Sequence, residues 1–174
     1  MRVELTGLDN VLAVMHPKVY QKSLNRTVND IGSRVKTHGT KRVKETYNIS
    51  AKEVKDEKFM KVRKSNFSNM SYYLDIRSKR LNAKRFGAKK LAKKGHVSVL
   101  IKKANGRKQL KRAFFAKSGA LLARDKNSQK IRAVKSVSVA QMFNKKILKE
   151  MDELATKEFS PKFQSNFNHY IGKV

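Results

Sequence analysis

The feature that most constrains the fold of this chain is a long interval without acidic residues. Between Asp75 and Asp125 there is no aspartate or glutamate, although residues 76–124 contain 17 lysines and arginines. So much uncompensated positive charge destabilises a compact state through self-repulsion. We therefore expect either an anionic partner beside this interval, or an assembly in which many copies of it face a negative surface.

The composition supports the same expectation for the whole chain. Its 174 residues carry a net charge of +29, and the apolar fraction of 39% allows a core but not a thick one. Nucleic acid is the first expected partner and an anionic membrane surface is the second. There is no cysteine, which excludes disulfides and thiolate chemistry. We expect neither a signal peptide nor a membrane span.

The N-terminal third predicts helices. Residues 3–15 predict a short strand, a turn at Gly7 and a short helix capped by Asp9. Residues 16–48 then predict one long helix, with Pro17 in its first turn and a possible kink near Gly39. Its apolar stripe consists of Tyr20, Leu24, Val28, Ile31 and Val35. A second, short helix begins with a capping box formed by Ser50 and Glu53 and is expected to end near Lys58.

The C-terminal part predicts another long helix. Ser138 and Gln141 have the spacing of a capping box at its start. One face of this helix is apolar and includes Met142, Phe143, Ile147 and Met151. Pro161 is expected to end or redirect the helix, which leaves residues 160–174 as a weaker tail.

Between these helices the apolar pattern changes to a period of two, which predicts strands. Residues 59–63 and 71–77 predict an antiparallel pair. Residues 96–110 predict a hairpin with a tight type I′ turn at Asn105-Gly106. Residues 113–118 and 130–134 predict further strands, with Phe114 and Phe115 in the core or at a subunit interface. The predicted fold is therefore α+β: a long N-terminal helix and a C-terminal helix packed on a small antiparallel sheet, in a single domain over residues 1–174.

Two clusters of cations are the candidate anion-facing residues. Residues 78–95 predict an exposed, mobile loop, and the hairpin turn follows it. The candidates are Lys84, Arg85, Lys89, Lys90, Lys93, Lys94, Lys102, Lys103, Arg107, Lys108, Lys111 and Arg112. Lysine predominates and only Phe86 supplies an aromatic ring, which favours contact with a phosphate backbone over reading of bases. The alternative is a solvated loop without a ligand.

No pattern predicts catalysis, a cofactor or a metal. The four histidines lie far apart in sequence and lack ligand spacing. Glu150, Asp152 and Glu153 could be drawn as a metal cluster, but they are better explained by a wet helix face on which Lys146–Glu150 and Lys149–Glu153 are pairs four residues apart. We therefore expect a protein that is not an enzyme.

Several segments together resemble one family. These are "SLNRTVNDIGSRVKT" (23–37), "NISAKEVKDEKFMKVRKS" (48–65), the basic "RFGAKK…GHVSV" segment (85–99), "AFFA" (113–116) and "SVSVAQMF" (136–143). In this order they resemble the minor tail protein Z family of tailed bacteriophages, over about residues 5–159. The chain departs from the family pattern at Arg112, where a glycine is common, and at Val134–Val137, where Gly-Pro is common.

The resemblance implies a structural tail completion protein of the virion, assembled in the bacterial host cytoplasm. It implies an α+β fold, a homo-oligomeric ring for which a hexamer is favoured, and partners among the tail terminator and the neck or connector proteins. In such a ring, residues 78–112 would face either the DNA channel or an acidic neighbouring protein. The alternative from another class is a free cationic nucleic-acid-binding protein of ribosomal or chromatin type. A membrane-active protein fits less well, because there is no tryptophan and the helices carry mixed charge opposite their apolar stripes.

Overall fold

The computed structural model describes residues 16–92, 95–128 and 130–173. The chain divides into two compact units. The first, here called the helical unit, consists of Met1–Gly39, Lys61–Asp75 and Lys145–Val174. The second, here called the sheet unit, consists of Thr40–Met60 and Ile76–Asn144. The sequence predicts a single domain over residues 1–174, and this stays a prediction because two compact units can belong to one domain or to two. The predicted N-terminal strand, Gly7 turn and Asp9-capped helix lie outside the described residues.

The described residues form an α+β fold, which confirms the predicted class. The helices are α1 (Pro17–Thr46), α2 (Ala51–Val54), α3 (Val139–Met142) and α4 (Lys145–Ile171). The strands are β1 (Met60–Arg63), β2 (Tyr73–Ile76), β3 (Lys89–Lys90), β4 (His96–Val99), β5 (Lys108–Lys111), β6 (Ala113–Phe115), β7 (Leu121–Arg124) and β8 (Ile131–Ala133). Two 3-10 helices cover Ala83–Phe86 and Lys103–Asn105.

The strands form three small sheets. β1 pairs with β2, and this agrees with the predicted pairing of residues 59–63 and 71–77. β3, β4 and β5 form an antiparallel sheet in that order, and β6, β7 and β8 form another. The predicted strands at 113–118 and 130–134 correspond to β6 and β8. The sequence did not predict β7, which lies between them in the sheet.

Helix α1 buries a line of small residues beside its predicted stripe. Ser23 and Thr27 are fully buried, and each hydroxyl donates a 2.7 Å hydrogen bond to the backbone carbonyl four residues earlier. Each hydroxyl hydrogen thus has its acceptor within the helix. In the predicted stripe Ile31 is buried, and four residues are half-buried: Tyr20, Leu24, Val28 and Val35.

Helix α4 continues through Pro161, so the prediction that this proline ends the helix is wrong. Proline lacks an N–H for the helical hydrogen bond, and its ring costs about 3 kcal/mol in a helix interior. Aromatic residues on either side supply compensating burial, since Phe163 and Phe167 are buried against Val19 of α1. The rings of Phe159 and Phe163 stack with centroids 6.4 Å apart. The residues expected to form a weak tail thus belong to the core of the helical unit.

Polar contacts fix α1 against α4 within the helical unit. The amide of buried Asn166 donates to the Thr27 hydroxyl at 2.9 Å. Arg34 forms an ion pair with Glu158 at 2.8 Å, and this hydrogen-bonded carboxylate raises the arginine pKa. Because both Asn166 and Thr27 are buried, their hydrogen bond specifies the register of the two helices.

The predicted helix over residues 138–159 is broken in two. Ser138 and Gln141 form the expected capping box, in which the Ser138 hydroxyl accepts from the Gln141 N–H at 3.1 Å. However, α3 ends after one turn because Phe143 leaves the helical region, with ψ at 67°. Of the residues expected on its apolar face, four are buried: Met142, Phe143, Ile147 and Met151.

The second capping box is also present, between Ser50 and Glu53, but its helix ends at Val54 and not near Lys58. One core cluster of the sheet unit joins its two three-stranded sheets, where Val97 and Val99 of β4 pack with Ala113 and Leu121. Phe115 is half-buried against this cluster, and Phe114 is also half-buried but is not part of it.

The predicted β4–β5 hairpin exists, but its type I′ turn does not. His96 pairs with Lys111 and Val99 pairs with Lys108, so eight residues connect the strands. A type I′ turn needs positive φ at both central residues. Here Gly106 has φ of 65°, whereas Asn105 belongs to the 3-10 helix Lys103–Asn105. The longer connection accommodates this helical turn before β5 begins.

Candidate nucleic-acid interface

Positive charge is concentrated in one of the two units. The sheet unit contains 27 lysines and arginines against five acidic residues, a net charge of +22 in 90 residues. The helical unit contains 15 against eight, a net charge of +7 in 84 residues. The acid-free interval 76–124 lies entirely within the sheet unit. A polyanion is therefore expected to be attracted mainly to the sheet unit.

The basic segment 78–95 is not the open loop expected from the sequence. The ring of Phe86 is fully buried and Leu81 is 5% exposed. The Leu81 N–H donates to Val137, and the Ala83 N–H donates to Val134 at 2.8 Å. Apolar residues placed among the lysines thus anchor residues 81–86 to the unit, and the cations of this part project from an anchored backbone.

The β3–β4–β5 sheet has one apolar and one polar face. Val97 and Leu110 are paired on the face that packs into the core. Residues paired directly across strands lie on the same face. The pairs Lys89–Ser98 and His96–Lys111 therefore place both lysines on the other face. This surface, here called the outward face, carries positive charge from two different strands.

Arg107 belongs to the outward face and also holds it together. Its guanidinium donates to the Ser98 hydroxyl at 3.1 Å, to the Ser98 carbonyl at 3.1 Å and to the Gly87 carbonyl. These hydrogen bonds use the guanidinium to satisfy backbone carbonyls. The sequence predicts only that Arg107 contacts an anion. The structure shows that Arg107 also stabilises the β3–β4–β5 sheet through these hydrogen bonds.

All ten of the predicted anion-facing residues that the structure describes are exposed. They are Lys84, Arg85, Lys89, Lys90, Lys102, Lys103, Arg107, Lys108, Lys111 and Arg112. Lys93 and Lys94 lie outside the described residues. Lys89, Lys111 and Arg107 lie on the outward face, whereas Arg112 is engaged elsewhere. Arg112 has a positive φ of 59° and donates to the Lys126 carbonyl at 2.9 Å.

A second cationic surface of the sheet unit is an open groove of about 650 Å³. Its lining includes the half-buried ring of Phe59 and the cations Lys58, Arg77, Lys79, Arg80 and Arg85. Only Arg85 among these was singled out from the sequence. The predicted pairing of residues 59–63 with 71–77 placed Phe59 near Arg77, but it did not show that Lys79, Arg80 and Arg85 would line the same groove.

Other chemistries have less support in the described part of the chain. No group of three histidines or carboxylates lies close enough there to hold a metal ion. The Lys149 ammonium lies 3.7 Å from the Glu153 carboxylate, as the structural interpretation of the acidic cluster predicted.

Among the described residues no helix is both long enough and apolar enough to span a membrane.

Comparisons of the chain with protein-family models, curated proteins and solved structures found no match.

Proposed function

We propose that this chain is a structural virion protein that completes the head-proximal end of a phage tail and helps to join tail to head. The sheet unit would contact the genome without reading its sequence. The observation that carries the DNA contact is the concentration of net charge +22 in the sheet unit. The resemblance of five segments, in order, to the minor tail protein Z family supports the tail role.

This proposal gives the uncompensated charge a physical explanation. In a homo-oligomeric ring, for which we favour a hexamer, the basic surface is repeated around an axis and its potential is summed. A DNA end inside the ring neutralises that charge by releasing counterions, and the contact depends on salt but not on sequence. The proposed partners are the tail terminator and the neck or connector proteins, and the proposed role requires no catalysis or cofactor.

Electron microscopy of lysates from a phage that lacks this gene tests the tail role. We expect filled heads and finished tails that stay apart, or joined particles that fail to deliver DNA. The control supplies the intact gene from a plasmid and should restore infectious particles. Normal infectious particles without the gene would refute the role.

A charge-reversed gene then tests the contact with DNA. Lys84, Arg85, Lys89 and Lys90 are all exposed, so their replacement by glutamate leaves the core intact. If the segment faces the DNA channel, complementing particles should assemble but eject DNA poorly. Normal assembly and ejection would exclude this geometry. Failure of assembly itself would instead indicate contact with an acidic neighbouring protein.

A free cationic nucleic-acid-binding protein is the second candidate. The observation that favours it is that lysines supply most of the exposed cations in the basic interval, and that they lie outside the buried core. Such a protein binds DNA or RNA alone, as a monomer or dimer, with a steep salt dependence. A tail completion protein is required for infectious particles, so the gene-deletion experiment distinguishes the two, whereas binding of DNA by the isolated protein is compatible with both.

A further inference from the structure

The cationic groove of the sheet unit differs from the outward face in its chemistry. The outward face displays two lysines, and its one described arginine, Arg107, is held by hydrogen bonds to neighbouring backbone carbonyls. The groove combines three arginines with an aromatic ring: Arg77, Arg80 and Arg85 beside Phe59. Arginine matches the geometry of a phosphate with two parallel donors, and it stacks on planar groups. A lysine-rich surface offers point charges without this geometry.

The walls of the groove are fixed by hydrogen bonds. The Arg77 N–H donates to the Phe59 carbonyl at 2.8 Å, which joins the two sides of the groove. The Ser78 hydroxyl accepts from the Val139 N–H at 2.7 Å. The Asn82 side chain accepts from the Leu121 N–H at 3.1 Å and donates to its carbonyl at 2.9 Å. A site held in this way loses little conformational entropy when a ligand binds.

Arg85 connects the ring to the charged lining. Its guanidinium lies 5.6 Å from the Phe59 ring centroid and 3.7 Å from a Glu53 carboxylate oxygen. Lys79 and Arg80 extend the cationic lining and are exposed. No carboxylate of the described residues forms an ion pair with either of them in the structure. The groove thus combines cations for phosphates with an aromatic ring for a base.

We propose that this groove binds a single-stranded nucleic-acid segment, with its phosphates on Lys79 and Arg80 and a base against Phe59. A duplex keeps its bases stacked inside, so it offers phosphates but no free base to the ring. The inference deepens the proposed function, on which it rests for the class of ligand. It assigns the end of a strand to the groove and leaves the duplex to the outward face.

Fluorescence anisotropy with a labelled oligothymidylate and with a blunt duplex of equal phosphate count tests the proposal. Lys79→Gln/Arg80→Gln should weaken single-strand binding about tenfold or more, through two lost phosphate contacts. The matched control, Lys41→Gln/Lys44→Gln, removes the same charge from exposed positions of the sheet unit that are outside the groove and outside the predicted anion-facing set. It should weaken single-strand binding much less. An equal loss of single-strand affinity in both variants would overturn the proposal, because it would show that binding depends on total charge and not on the groove.

Phe59→Leu tests the base contact and keeps most of the buried volume. Loss of stacking should weaken oligothymidylate binding about fivefold or more and leave duplex binding unchanged. Unchanged single-strand binding by a variant with unchanged thermal unfolding would refute the base contact. If Phe59→Leu is destabilised, the comparison of Lys79→Gln/Arg80→Gln with its control variant still tests whether the groove binds the single strand. Both of these side chains are exposed, so their replacement leaves the core intact.

Polyglutamate is the competitor that tests the other class of partner. We expect it to displace oligothymidylate weakly at equal charge concentration. Equal displacement would overturn the proposal and indicate an acidic protein segment as the occupant. If the groove fails these tests while duplex binding and the particle phenotype persist, the proposed function survives without the groove. If the intact protein binds neither nucleic acid, DNA contact itself is refuted.

Discussion

The two lysines of the outward face offer a quantitative test of DNA contact by the sheet unit. Lys89 on β3 and Lys111 on β5 are both exposed and lie on the same face of the sheet. Arg107 shares that face, but its hydrogen bonds to Ser98 and Gly87 make it unsuitable for substitution. We therefore choose Lys89→Gln/Lys111→Gln, which removes charge without removing a described hydrogen bond.

The expected magnitude follows from counterion release. Each phosphate contact contributes about 0.9 to the slope of log affinity against log salt concentration on duplex DNA. If both lysines contact phosphates, the slope of the variant is shallower by about 1.8. Between about 50 mM and about 200 mM salt, the ratio of parent to variant affinity then falls about twelvefold.

The assay is anisotropy of a labelled duplex, titrated with each protein at several salt concentrations. Lys146→Gln/Lys157→Gln is the matched control, because it removes two exposed lysines from α4 of the helical unit. The control should keep the parent slope. An unchanged slope for the outward-face variant, or an equal change in both variants, would contradict the assignment of DNA contact to the sheet unit.

Three further predictions concern stability and are measured by urea unfolding. Phe86→Ala should lower the free energy of unfolding by about 3–5 kcal/mol, because its fully buried ring anchors the basic segment; near-neutral behaviour would mean that the segment is open. Gly32→Ala should destabilise despite a helix-propensity gain of about 1 kcal/mol, because the new Cβ meets the Tyr72 ring, and Tyr72→Ala should relieve the loss. Burial raises the pKa of Tyr72, so its contribution to stability is complete below the ordinary tyrosine pKa of about 10 and is lost as the pH rises further. Tyr72→Phe should remove that dependence, and a parent and variant with identical alkaline profiles would contradict it.

Local rules explain which parts of the fold were predictable. A capping box involves only four consecutive residues, so the boxes Ser138–Gln141 and Ser50–Glu53 could be recognised in the sequence. Helix α1 begins at Pro17, where a missing N–H costs nothing. The β4–β5 pairing also followed from alternation, although the form of its connection did not. The lengths of the C-terminal helices depended on packing, which local signals do not contain.

Two errors have the same cause. Pro161 was expected to end a helix, but burial of Phe163 and Phe167 against Val19 offsets its cost. Residues 78–95 were expected to be a loop because their charge conceals the buried Leu81 and Phe86. In both segments a few distant apolar contacts outweigh the local preference, and a sequence does not show which residues will meet.

The sequence by itself determined the α+β class, the helix caps and the presence of an acid-free basic interval, because composition and short-range spacing are sufficient for these. Only the tertiary structure decided where the charge acts. It divided the chain so that +22 of the +29 charges belong to the sheet unit, and it placed Lys89 and Lys111 on one face of a sheet. It also brought Lys79, Arg80 and Arg85 into one groove with Phe59. These juxtapositions depend on strand register and long-range hydrogen bonds, which join residues that are far apart in the chain.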